Sequence, residues 1–347
     1  MIPLKLELSA CCYRAMLGVG GIGSGRFFAL NGNQTLGREE SRSGRFLERR
    51  DYCKLHIISH YVQTLLGPRF TTIPIGKVGD DDAGKQLLAE MQAAGLDLRY
   101  VQPSAGDPTL FSFCFIYPDG SGGNLTTDDS ACSRVDAAFV SEAEPEFARW
   151  EGCGIALAAP EVPMPARRRA LELGSQYRFW RVASFAAEEI ASAIDDGTLA
   201  HIDLLALNLD EAAAAAGVSS EAETPAAVAA AAAGRLGALQ PALCLAITAG
   251  RRGSWTWDGS SLVHLPAVTT AAVSTAGAGD AFLAGMMAGL VAGLPLSQAQ
   301  GLATLTAALS VTSPHTINPL IDGRSLRAFA AQVHFPACQA VMNLLEV

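Results

Sequence analysis

Ser274-Thr275-Ala276-Gly277-Ala278-Gly279-Asp280 runs without a break into the apolar stretch Ala281-Phe282-Leu283-Ala284-Gly285-Met286-Met287-Ala288-Gly289-Leu290. Small residues ahead of an apolar helix let backbone N–H groups converge on its N-terminus, where the macrodipole favours an anion. Asp280 falls in the first turn of that helix. An anion-binding turn beside a carboxylate suits phosphoryl transfer. The Gly277, Ala278 and Gly279 amides would bind the migrating phosphoryl oxygens, and Asp280 would accept the proton of an acceptor hydroxyl. From these residues alone, an Asp-capped buried helix after a glycine turn reads equally well.

Outward from this point, short apolar β-prone runs at 15–20, 70–76, 155–158, 179–185, 202–207 and 243–248 alternate with alanine- and leucine-rich helical runs. That rhythm predicts βαβ units and a mostly parallel sheet, with ligands at the carboxyl ends of its strands. Leu87, Leu88 and Met91 recur at helical spacing over 81–94, with Gly95 as C-cap, and Thr224-Pro225 reads as N-cap and first residue of a further helix. Two stretches break the rhythm. Residues 110–117 are aromatic and end in the turn Pro118-Asp119-Gly120, and 26–40 mix Gly, Asn and Phe, so segments 26–36 and 110–117 predict a small β lid. Residues 38–54 carry Arg38, Arg42, Arg45, Arg49, Arg50 and Lys54 against Glu39, Glu40, Glu48 and Asp51, which reads as a solvated helix face laced with i,i+4 pairs.

Composition bounds the function. With 347 residues, 50% hydrophobic and 17% charged, the chain has material for a large core, and disorder is excluded. A net charge of -9 and the lack of basic runs leave no footprint for nucleic acid or an anionic membrane, so the expected partners are small molecules. The 8 cysteines form no C-x-x-C pair, which fits a reducing cytoplasm. Residues 8–22 resemble a signal-peptide core, but Arg14 interrupts them. The apolar run 281–296, interrupted by Pro295, falls short of the roughly 20 residues of a membrane span.

Several motifs mislead. Gly18, Gly20 and Gly23 spell a dinucleotide fingerprint, but no helix-forming sequence follows to hold a pyrophosphate. Gly79, Gly84 and Lys85 mimic a phosphate-binding loop, yet Gln86 replaces the magnesium-binding hydroxyl and Asp80, Asp81 and Asp82 would repel phosphate. His56 and His60 stand at metal-ligand spacing without the Glu of H-E-x-x-H.

The Gly277–Asp280 stretch resembles the G-A-G-D signature of the ribokinase-like (PfkB) family of carbohydrate and nucleoside kinases, and further motifs follow in the family's order. Gly76-Lys77-Val78-Gly79-Asp80-Asp81 through Gly84 to Gly95-Leu96-Asp97 is similar to its N-terminal G-x-V-G-x-D-x-x-G element. Asn208-Leu209-Asp210-Glu211 resembles its N-x-x-E element, and Thr248-Ala249-Gly250-Arg251-Arg252-Gly253 its T-x-G-x-x-G turn. The resemblance spans roughly 70–313. It implies one α/β domain over 1–347, a three-layer α/β/α sandwich with a mainly parallel central sheet and a small β lid, through which two copies would pair. It further implies transfer of the ATP γ-phosphoryl group to a sugar or nucleoside hydroxyl. In that reading Asn208 and Glu211 organise hydrated Mg2+, Thr248, Gly250 and Gly253 lie along the phosphates, and the region of Thr304 and His315 meets adenine. Read locally, Asn208 with Glu211 is also a capping box, and Gly250 with Gly253 also turns a hairpin.

The chain departs from the family in places. Ser274 stands where the family has Asp, so a monovalent cation is not carried over. The family's early Asp and Gly-Gly sugar-binding element are not legible between Gly18 and Leu66; the polar candidates for the acceptor there are Asn31, Asn33, Arg42, Lys54 and His56. A neutral sugar or nucleoside is the first expectation, and Arg42, Arg45 and Lys54 keep a sugar acid or sugar phosphate as the second. The competing functions are a non-catalytic sugar- or nucleotide-binding regulator on the same fold and an NAD-dependent oxidoreductase built on Gly18, Gly20 and Gly23.

Overall fold

Leu204 and Leu205 show how the chain makes layers: adjacent residues of one strand, they pack into different apolar cores on opposite faces of the sheet. A computed structural model describes residues 1–6, 11–119 and 122–346; residues 8–10 of the leader-like run and Gly120 of the expected turn lie outside them. Its strands are β1 (Ala15–Val19), β2 (Gly23–Leu30), β3 (Gly44–Tyr52), β4 (Thr71–Gly79), β5 (Tyr100–Ser104), β6 (Leu110–Ile116) and β7 (Gly122–Thr126). They continue with β8 (Gly154–Ala158), β9 (Trp180–Ser184), β10 (Leu204–Asn208), β11 (Cys244–Thr248), β12 (Ser254–Trp257) and β13 (Leu262–Leu265). The large sheet has the order β13-β12-β11-β10-β9-β8-β1-β4-β5. It is parallel from β11 to β5, and β12 and β13 extend it antiparallel. Helices cover both faces, which gives the three-layer α/β/α sandwich. No helix among the described residues is long and apolar enough to cross a membrane.

The lid is larger than the expected segments: a 4-stranded sheet in the order β3-β2-β6-β7. The charged stretch is not helical over its length, because 44–52 form strand β3 and the helix Lys54–Leu66 begins only after it. Pairing explains the difference. Phe46 of β3 packs edge-on against Phe28 at 5.2 Å and Phe113 at 6.1 Å, contacts that a helix at this position would lose. Its charges then decorate an edge strand, which discourages further strand pairing.

The misleading motifs have packing explanations. A Cβ at Gly18 would lie 2.7 Å from Leu55 Cδ1, so this glycine lets the helix Lys54–Leu66 settle on β1. Gly84 donates its N–H to Asp81 Oδ1 at 2.7 Å, making Asp81 the N-cap of helix Asp82–Ala93. Thr109 donates both its N–H and its hydroxyl to the same carboxylate, which ties the start of β6 to that helix. His56 and His60 are held neutral by burial, which pushes their pKa values down to about 3 and about 4. No cluster of potential metal ligands occurs among the described residues.

Candidate active site

A cavity of about 1630 Å³ opens along the carboxyl ends of β9, β10 and β11 and against the N-terminus of helix Ala278–Val291. Ser184, Asn208 and Thr248 line it, each the last residue of its strand. Gly277 turns the chain into the helix at φ 77°, and a Cβ there would meet the Thr316 carbonyl oxygen at 2.7 Å. Only glycine fits both conditions. The Ala278 N–H, expected to face the phosphoryl group, instead closes the turn on the Thr275 carbonyl at 3.3 Å, and the Ala281 N–H bonds the Gly277 carbonyl at 2.9 Å; between them the Gly279 and Asp280 N–H groups have no backbone partner, and the space beside Gly279 is open. Asp280 follows and lines the same cavity.

Asn208 and Glu211 cap the helix Leu209–Ala216 reciprocally: the Glu211 N–H donates to Asn208 Oδ1 at 2.8 Å, and the Asn208 N–H donates to Glu211 Oε2 at 2.7 Å. The other Glu211 oxygen lies 3.9 Å from Lys54 Nζ. The cap and the ion pair thus use different oxygens of Glu211. β11 and β12 form the hairpin that Gly250 and Gly253 were expected to turn, and both glycines line the cavity. Thr304 approaches from helix Leu296–Ser310, its buried hydroxyl without a protein partner.

Charge concentrates around Lys54. Burial pushes Asp280 up to about 6; Lys54 pulls it back, and Glu211 and Asp51 push it higher. Burial alone would lower the Lys54 pKa, but Asp280, Glu211 and Glu161 outweigh it and hold the ammonium charged. Glu161 is a residue the sequence reading missed. It follows β8 at φ 75°, accepts the Lys54 N–H at 3.2 Å, and is raised by burial to about 7. A Cβ on Gly21 would lie 2.4 Å from that of Glu161, so the glycine run after β1 leaves room for this carboxylate. The signal that could have found Glu161 is a lone charge just past a parallel strand.

The sequence model of the pfkB family carbohydrate kinases matches residues 62–322. The chain belongs to the pfkB family. A fructokinase of Klebsiella pneumoniae is 31% identical over 233 residues, covering 64% of this chain and 72% of that protein. Solved structures share the fold at low identity. The ribokinase of Cryptococcus neoformans var. grubii serotype A in complex with ADP superimposes with a TM-score of 0.76 at 18% identity, over 92% of this chain and 99% of that one. The nucleoside kinase of Burkholderia thailandensis in complex with inosine gives 0.70 at 18%, over 91% and 97%.

In this pfkB-family chain the remaining expected residues fall elsewhere. Asn31 donates to Ser43 Oγ at 3.1 Å, Asn33 accepts the Asp119 N–H at 3.1 Å, and Arg42 donates to Gln34 and Glu40. All three hold the lid's own outer turns and do not line the cavity. His56 is sealed in the core at 1% exposure, against the Tyr52 ring. His315 does not line the cavity either: its Nδ1 accepts the Arg50 N–H at 2.9 Å, which latches β3 to the loop behind Gly277. Of the candidates for the acceptor, Lys54 alone reaches the cavity wall.

Proposed function

We propose that this kinase-family chain transfers the γ-phosphoryl group of ATP, with Mg2+, to a hydroxyl of a sugar or nucleoside, with Asp280 as the base. The observation that carries the reading is Asp280 itself, seated in the first turn of a buried helix at the edge of the cavity and raised to about 6. Such a carboxylate is largely ionised at neutral pH yet basic enough to take a hydroxyl proton. The Gly279 and Asp280 amides would stabilise charge on the phosphoryl oxygens, and Thr248, Gly250 and Gly253 would lie along the phosphates, with Thr304 towards adenine. ADP bound to the Cryptococcus ribokinase supports a nucleotide donor.

The residues at hand fit magnesium. Asn208 Oδ1 is engaged in its cap, while Glu211 keeps Oε1 clear of it. One carboxylate oxygen suits an ion that retains most of its water. When bound, that ion would neutralise phosphate charge. The body and the lid would act as one unit. The lid's outer aromatic face, where Phe46 is 48% exposed beneath the Arg26 guanidinium, would pair with a second copy; a monomer at every concentration in light scattering excludes this.

The decisive experiment is a screen of sugars, sugar phosphates and nucleosides for acceptor-dependent ADP release. Turnover with one acceptor class supports the reading. Binding of ATP and a sugar without turnover would make the chain a non-catalytic regulator instead.

A further inference from the structure

We propose that Arg251 and Arg252, two guanidinium groups at the mouth of the cavity, grip the polyphosphate of the nucleotide and make the cavity select nucleoside di- and triphosphates over monophosphates and nucleosides. This deepens the kinase reading above and rests on it.

The turn that carries the two arginines is held firmly while their side chains are not. β11 ends at Thr248 and β12 begins at Ser254, so both residues sit at the tip of a hairpin, on the carboxyl side of the parallel strands. The tip closes on itself. The Ala249 N–H donates to the Gly253 carbonyl at 2.9 Å, the Arg252 N–H to the Ala249 carbonyl at 3.1 Å, and the Gly253 N–H to the Gly250 carbonyl at 3.1 Å. Gly253 is left-handed at φ 90°, and a Cβ there would come 2.2 Å from the Leu265 carbonyl oxygen, so the turn lies close against β13. From β13, His264 Nε2 donates to the Arg252 carbonyl at 2.9 Å, and its ring stacks on Trp255 with centroids 4.3 Å apart. Both arginines are exposed and both line the cavity. Neither is paired with a carboxylate among the described residues.

The charge of the cavity wall gives these cations a task. Five carboxylates line the cavity against three cations, so its wall is acidic overall. The third cation, Lys54, is already committed: its ammonium lies 3.9 Å from Glu211 Oε1, and Asp280 and Glu161 also act on it. Asp210, Glu221 and Glu223 line the exposed part of the wall, where the Ser220 hydroxyl donates to Asp210 Oδ1 at 2.6 Å. A polyphosphate entering past them meets like charge unless a free cation stands at the same entrance. Arg251 and Arg252 are the lining cations that remain.

The chemistry of the side chain fits the ligand. A guanidinium presents a planar fork that takes two phosphate oxygens at once, and a fork with no carboxylate to release gives up no ion pair in doing so. Magnesium at Glu211 would serve the end beside Lys54, and the Gly279 and Asp280 amides the end at the helix. The phosphates nearer the mouth are left to the two arginines. A nucleoside has nothing for them to hold, and a monophosphate engages them with a single group.

The test measures binding of ADP, AMP and adenosine by calorimetry, without acceptor, for the parent, Arg251→Ala, Arg252→Ala and the double variant. The parent should bind ADP about tenfold or more tighter than AMP, because each hydrogen-bonded charge pair is worth about that much. Each single substitution should weaken ADP binding by about tenfold, and the double variant should weaken it further. Adenosine affinity should stay within about twofold, and melting temperatures should hold, since the replaced side chains are exposed. ADP affinity within about twofold of the parent in the double variant overturns the inference, and so does a loss for adenosine as large as that for ADP. A parent protein that binds no adenine nucleotide at all removes the kinase reading itself.

Discussion

On the floor of the cavity, Asn208, Glu211 and Asp280 are placed by a few residues of nearby backbone. Asn208 and Glu211 fix each other across one helix start, and Gly277 sets the direction of another. In the lid, Asp51 meets its thiol donor from 63 residues away, across the sheet. The comparison teaches that the two regions carry different information in the sequence: local motif on the floor, strand register in the lid. It also separates two kinds of prediction, since the proposed phosphoryl chemistry rests on the floor groups alone.

The largest effect expected is on the floor. Asp280→Asn should lower kcat by about 10² to 10⁴ while the melting temperature and ATP affinity hold, because a positioned base typically contributes that much. Activity within about threefold of the parent would remove the floor's part in the chemistry.

Next comes the glycine turn. Gly277→Ala must adopt a left-handed conformation costing about 1–2 kcal/mol, and its Cβ must also displace the Thr316 carbonyl. Gly279→Ala enters open space. Thermal unfolding should therefore separate the two variants clearly, with Gly277→Ala the less stable. Equal melting temperatures would show that the turn relaxes freely.

A smaller effect is expected at Glu211. Replacement by Gln keeps an oxygen for the Asn208 N–H but removes charge, so the magnesium concentration for half-maximal rate should rise severalfold with little change in stability. A drop in stability with an unmoved magnesium curve would make Glu211 a cap alone.

This contrast also explains what could be read beforehand. The parallel sheet, the helix behind Asp280, the Asn208–Glu211 pair and the 248–253 turn were legible because periodicity, caps and glycine turns are local. The register of β3 was not: its charges matched a helical face, and the aromatic packing of Phe46 on Phe28 and Phe113 overrode that pattern. Asn31, Asn33 and Arg42 looked substrate-facing because they are polar and near the lid, but their partners lie in the lid's own turns. Glu161 became visible only when the space above Gly21 was known.

The most direct test of the central claim is the pH dependence of kcat/KM for the acceptor identified in the screen. Burial raises Asp280 from the ordinary carboxylate range to about 6, and Lys54, Glu211 and Asp51 adjust it there. The ionised form is the base, so kcat/KM should climb as pH rises through about 6 and level off above it. A profile that stays flat across that region, or one that falls as pH rises through it, would contradict a carboxylate base at Asp280.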